Sequence, residues 1–142
     1  MASRWRAWLK RLTRPHALGR RGERLAARHL KRSGLKILAR GWRGRAGEID
    51  LIAREGRTTV FVEVKTRRAV VGNRPEEAVD RRKQRTIVKL AGEWAAAQAR
   101  RGVDRGTLAV RFDVVAIVWP EGGRPEVKHI RGAFDATGMG FV

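Results

Sequence analysis

Between Gly47 and Arg67 the chain alternates with a period of two. Val60, Val62 and Val64 fall on one side of a run from Thr58 to Thr66, and Phe61, Glu63, Lys65 and Arg67 fall on the other. The preceding run puts Glu48, Asp50 and Ile52 on one face and Ile49, Leu51 and Ala53 on the opposite one. β-Branched and aromatic residues favour strands, and Glu55-Gly56-Arg57 between the runs reads as a turn, so the pattern predicts a hairpin. Elsewhere the period lengthens. Leu25, Ala26, His29 and Leu30 form a helical stripe within residues 19–33, and Gly34 stands where a C-terminal glycine cap belongs. Val79, Ile87, Leu90, Ala91 and Trp94 mark the buried side of a second helix, from about Glu76 to Arg100. Pro75, Glu76 and Glu77 suit its first turn.

Three further strands follow from the same reading. Leu35 to Arg43 is the first in the chain, closed by a tight basic turn over Gly44 to Gly47. Arg111 to Trp119 is almost continuously apolar, as expected of a central strand covered on both faces. Val127 to Ile130 is short and last. The order αβββαββ predicts an α/β fold, a mixed sheet flanked by helices. The expected organisation is a basic amphipathic extension over 1–18, one domain over 19–135 and a loose tail over 136–142. In the extension Trp5, Trp8, Leu9 and Leu12 share a helical face that Pro15 would end. A nucleic-acid arm, a membrane-surface helix and a frayed terminus all fit it.

Charge changes the picture. The 142 residues carry 33 Lys plus Arg against 14 Asp plus Glu, a net charge of +19. That balance suits a phosphate-rich partner, although an arginine-rich composition or binding to ribosomes or anionic lipid would also give it. No cysteine is present, which excludes disulfides, thiolate nucleophiles and Cys-based zinc sites. A cytoplasmic bacterial protein held by its core alone is expected. No segment approaches a membrane span or a signal peptide, so stable membrane insertion is not expected. His16, His29 and His129 lie far apart in sequence without ligand spacing and read as surface or structural.

The chemistry concentrates in the hairpin. Asp50, Glu63 and Lys65 within a mostly apolar sheet are costly to desolvate unless they are paired or bind a cation. An internal ion-pair network is one reading. A divalent-cation site is the other, since Mg²⁺ is commonly held by one or two carboxylates with water. Asp113, the one charge inside the apolar run from Arg111, reads as the partner of a core arginine. Trp42 reads as packing at the edge of the core.

An Asp on one strand followed by Glu-x-Lys on the next resembles the PD-(D/E)XK nuclease signature, here Asp50 with Glu63-Val64-Lys65. The wider set is more specific: G-x-x-G-E-x-x-A from Gly19, G-E-I-D-L-I-A from Gly47, V-F-V-E-V-K-T-R from Val60, R-F-D-V-V-A-I from Arg111, and Ala133-Phe134. Together these are similar to the YraN-like family of bacterial endonuclease-like proteins, over roughly residues 19–135. The resemblance implies a restriction-endonuclease-like core and Mg²⁺- or Mn²⁺-dependent hydrolysis of DNA. It implies Asp50 and Glu63 as metal ligands, the Val64 carbonyl as a further oxygen, and Glu23 as a ligand directly or through water. Glu48 is a second-rank candidate. Lys65 would position the attacking water. Arg43, Arg45, Arg67, Arg68, Lys83 and Gln84 would bind the phosphate backbone. No base-reading element stands out, so recognition of backbone or of branched or single-stranded shape is expected, with a homodimer considered. A non-catalytic nucleic-acid-binding protein of the same fold and an RNA- or ribosome-associated basic protein are the alternatives.

Overall fold

The computed structural model describes residues 15–68, 80–103 and 109–136. The proposed helix around Trp5 and Trp8, most of the loop after Arg67, Pro75 to Val79 and the final residues lie outside the described residues.

Helix α1 (Pro15–Arg32) leads into β1 (Lys36–Gly44), β2 (Gly47–Glu55) and β3 (Thr58–Arg67). Helix α2 (Arg81–Arg100) then crosses to β4 (Ala109–Val118), and β5 (Glu126–Phe134) closes the sheet. The five strands lie in chain order. Only β3 and β4 are parallel, with Thr58 opposite Ala109 and Arg67 opposite Val118; the other neighbours are antiparallel. A hairpin makes antiparallel neighbours, while the helical crossover through α2 makes the parallel pair. This is the αβββαββ arrangement expected, and it is consistent with a restriction-endonuclease-like core.

The two helices cover opposite faces. Ala26, Ala27 and Leu30 of α1 pack on Leu51, Ala53, Val60, Val62, Val115 and Ile117. Ile87, Val88, Leu90 and Trp94 of α2 pack on Ile52, Phe61, Phe112 and Val114. Truncating a side chain such as Leu30 (0% exposed) removes both its transfer energy and its packing, about 2–5 kcal/mol. Trp42 leans edge-on against Trp94, ring centroids 5.5 Å apart, so it packs at the core's margin as its position predicted.

Helix boundaries follow from local chemistry. At the end of α1, Leu35 N donates to Leu30 O at 3.0 Å and Gly34 N to Lys31 O at 3.1 Å. Gly34 sits at φ +95°, which only glycine adopts cheaply, so it closes the helix and turns Leu35 into the α1-side core. Helix α1 starts at Pro15, four residues before the predicted Gly19, because a proline is well tolerated in a first turn. Helix α2 starts at Arg81, later than the predicted Glu76. Asp80 is extended there (φ −74°, ψ 171°) and its carboxylate accepts the Lys83 N–H at 2.8 Å.

Two strand readings also need correction. Strict alternation puts Ile49 with Leu51 on the α1 side, yet Ile49 joins the cluster on the α2 side. Strand β5 continues past the predicted Ile130 to Phe134, which stacks on Phe112 at 5.1 Å. Its ladder with β4 shifts register between Phe112 and Val114. Among the described residues no helix is long and apolar enough to cross a membrane.

Candidate active site

The pairing of β2 with β3 runs from Glu55 opposite Thr58 to Leu51 opposite Val62. One step further, Asp50 and Glu63 face the place where the two strands part. There the Val64 N–H donates to Asp50 Oδ2 at 2.8 Å, so a side chain takes the role of the missing ladder partner. The result is a fork in the sheet with a carboxylate on each prong. Past this point β2 pairs only with β1, and Ile49, opposite Trp42, packs on the α2 side.

Each helix sends a residue to the fork. Gly22 of α1 is buried against β3; a Cβ there would fall on Thr66 Oγ1 and lie 3.0 Å from Thr66 Cβ. The missing side chain lets α1 lie close to the strand and brings the next residue, Glu23, beside Asp50. From the other face, the capped first turn of α2 delivers Lys83, whose Nζ is 3.7 Å from Glu63 Oε1. Lys65 Nζ reaches the same oxygen at 3.7 Å. Glu63 is thus almost sealed, its side chain 6% exposed, between two cations.

The carboxyl groups are under electrostatic tension. Burial raises Glu63 to about 7, the Asp50 charge adds to this, and Lys83 and Lys65 pull against it. Burial likewise raises Glu23 to about 7, helped by the charges of Asp50 and Glu48 and by a hydrogen bond to Asp50. Asp50 is pushed up by burial and held down by the Val64 N–H, Glu63 and Lys83. Glu63 Oε2 is buried and has no hydrogen-bond partner among the described residues. A buried carboxylate oxygen with a free lone pair costs energy, and a cation beside it would offset that cost.

Among the described residues no three His, Cys, Asp or Glu side chains are gathered closely enough to hold a metal by themselves. Two neighbouring carboxylates suit a hard cation only if it keeps much of its water. They do not fit a fully protein-enclosed site.

The fork draws together Asp50, Glu63, Val64, Lys65, Glu23 and Lys83. The remaining predicted phosphate-binding residues lie on the elements around it. Arg43 pairs instead with Glu48 at 3.3 Å on the exposed hairpin. Arg45 lies in the β1–β2 turn, where its N–H bonds to Glu93 Oε1 at 2.8 Å. Arg67 is exposed at the end of β3, Arg68 is half-buried just beyond it, and Gln84 follows Lys83 on α2. Glu93 escaped the sequence reading. It accepts from both Arg45 N and Ala46 N (2.8 and 3.3 Å) and so ties the turn to α2. Nothing local in the sequence signals a helix glutamate bonding backbone 47 and 48 residues away.

A second polar cluster is structural. Asp113 is wholly buried and accepts from Arg111 Nε (2.8 Å), Arg111 Nη2 (2.9 Å) and Gly132 N (2.9 Å). His129 Nε2 lies 2.7 Å from its other side. Arg111 continues to Glu55 at 2.9 Å, which also binds Arg131. Asp113 partners an arginine, as predicted. His29 and His129, remote in sequence, meet edge-to-face at 6.4 Å, so they are neighbours within the fold although both remain structural.

The fold and the fork define an α/β protein with paired carboxyl groups and two lysines where two strands of a mixed sheet separate. The chain belongs to a family described as "Uncharacterised protein family UPF0102", whose model matches residues 22–117. It is similar to a UPF0102 protein of Rhodococcus opacus (strain B4), 52% identical over 118 residues, covering 83% of this chain and 96% of the relative. A UPF0102 protein of Acidothermus cellulolyticus is 49% identical over 123 residues, covering 83% and 93% respectively. A UPF0102 protein of Syntrophotalea carbinolica is 48% identical over 122 residues, covering 86% and 94%.

Proposed function

We propose that this chain is a PD-(D/E)XK-type endonuclease that hydrolyses DNA phosphodiester bonds with Mg²⁺ or Mn²⁺. The observation that carries the reading is the fork: a buried Glu63 and a half-buried Asp50 on diverging strands, one oxygen of Glu63 unpartnered, flanked by Lys65 and Lys83. An ion-pair network alone explains the lysines. It leaves Glu63 Oε2 buried with no N–H donor among the described residues and a second carboxyl, Asp50, beside it.

Asp50, Glu63 and the Val64 carbonyl would hold the cation, with Glu23 contacting it directly or through water. When bound, such an ion lowers the pKa of a water and stabilises charge on a transferring phosphoryl group. Lys65 then orients the attacking water and opposes the negative charge that grows on the phosphate. Lys83, poised on the same carboxylate from α2, binds the adjacent phosphate once Glu63 is otherwise engaged. The Val64 N–H fixes the orientation of Asp50 throughout. The contacts address phosphate and not base edges, so selection is by backbone and DNA shape.

The test is cleavage of linear, flapped and four-way-junction DNA with Mg²⁺ or Mn²⁺. Asp50→Ala, Glu63→Ala and Lys65→Ala should each lower the rate by about a hundredfold or more. Cleavage unchanged in all three, or absent from every substrate with folded protein, would overturn the proposal.

A further inference from the structure

Beside the fork, on the α1 side of the sheet, lies a small depression that the reading above leaves unused. Leu51 forms its floor, and Glu23 forms a wall that it shares with the candidate site. Arg20 and Arg24 of α1 and Arg40 of β1 complete it. Arg40 stands opposite Leu51 in the β1–β2 ladder, so two separate elements bring the cations together.

All three arginines are exposed, and among the described residues none makes an ion pair within 4 Å. Glu23 is the one carboxylate in the lining. Arg20 and Arg24 are one helical turn apart, where like charges destabilise a helix. Exposed arginines are common in a chain of +19 net charge. Three around one concavity, without matching carboxylates, form an arrangement that stability does not explain. A guanidinium is suited to bidentate contact with a tetrahedral oxyanion.

We infer that the Arg20–Arg24–Arg40 depression is a phosphate-binding subsite that holds a nucleic-acid phosphate next to the one at the fork. This rests on the nuclease reading and extends it. Glu23 separates the two compartments, so the strand runs from Lys83 on one face of the sheet, across the fork, to α1 and β1 on the other. The phosphate is either internal to a strand or a terminal phosphate, and the chemistry of the subsite is the same for both.

Binding in EDTA tests this apart from catalysis. Fluorescence anisotropy would follow labelled duplexes bearing a 5′-phosphate or a 5′-hydroxyl, and a labelled closed circle. The protein would be wild type, Arg24→Ala/Arg40→Ala, or a control, Arg100→Ala/Arg101→Ala, which removes the same charge at the far end of α2. The subsite variant should bind about tenfold or more weakly, and its slope of log K against log salt should flatten by about 1 per lost contact. The control should change little. A loss confined to the 5′-phosphorylated duplex assigns a terminal phosphate, and an equal loss on all three DNAs assigns an internal one. Equal weakening by both variants, or none by the subsite variant, would overturn the inference. If D50A and E63A abolish cleavage while the subsite variant binds normally, only this inference fails; if the subsite variant binds weakly but no variant alters cleavage, only the nuclease reading fails.

Discussion

Glu63 is held against its own chemistry. The folded chain keeps protons on Glu63 and Glu23 up to about 7, whereas their ordinary value is 4.5. Between those values the folded form binds more protons than the unfolded one, so stability falls as pH rises. His29 works in the opposite direction: burial and His129 lower it, so folding gains as pH rises toward its ordinary value of 6.5 and the gain is complete above it. Comparison with Glu63→Gln separates the two. In EDTA the wild-type melting temperature should fall relative to that of Glu63→Gln between about pH 5 and pH 7.5, and Mg²⁺ should shrink the difference. Parallel curves with and without Mg²⁺ would show that no cation relieves Glu63.

Asp113 behaves in the reverse sense. Burial pushes it up, but His129, Arg111 and the Gly132 N–H outweigh this and hold it at about 2. Its contribution is fully present above the ordinary value of 3.8 and is lost as pH falls toward 2. Asp113→Ala leaves Arg111 with Glu55 alone and removes the carboxylate beside His129, and should cost about 2–4 kcal/mol in urea unfolding. Divalent-cation binding by the protein that remains folded should be unchanged.

At the scale of elements, function depends on how closely α1 approaches β3. Gly22 permits the contact with Thr66, and Glu23 follows directly. Gly22→Ala should force the helix or Thr66 to move and destabilise by about 1–3 kcal/mol, with cleavage falling further than stability alone explains. Thermal melts beside cleavage rates check this; wild-type values in both would mean that the approach is not needed. The same elements show what was legible in sequence. The hairpin, the Gly34 cap and both helical stripes were readable because they are local and periodic. The start of α2 was not, because Pro75-Glu76-Glu77 suits a helix N-terminus as well as Asp80 does. The placement of Ile49 was not, because it depends on packing against α2 after β2 leaves its ladder. The latter part of β5 was not, because Gly132 reads as a break whereas its N–H is taken by Asp113.

For the whole molecule, the sheet separates two tasks. Glu55, Arg111, Asp113, Arg131 and His129 form a satisfied polar network that ties β2, β4 and β5 together. The fork and the arginine depression are unsatisfied, with one buried oxygen and three unpaired guanidinium groups among the described residues. Of the candidate site, the sequence pattern carried Asp50, Glu63 and Lys65, since one strand and its neighbour contain them. Glu93 and the trio Arg20, Arg24 and Arg40 become meaningful only when helices and strands are brought together. Titration with Mn²⁺ followed by electron paramagnetic resonance reads out directly whether the fork holds an ion. Wild-type protein should bind one ion, Asp50→Ala and Glu63→Ala should lose it while keeping their circular dichroism, and Asp113→Asn should retain it. Equal Mn²⁺ binding by wild type, Asp50→Ala and Glu63→Ala would contradict the account.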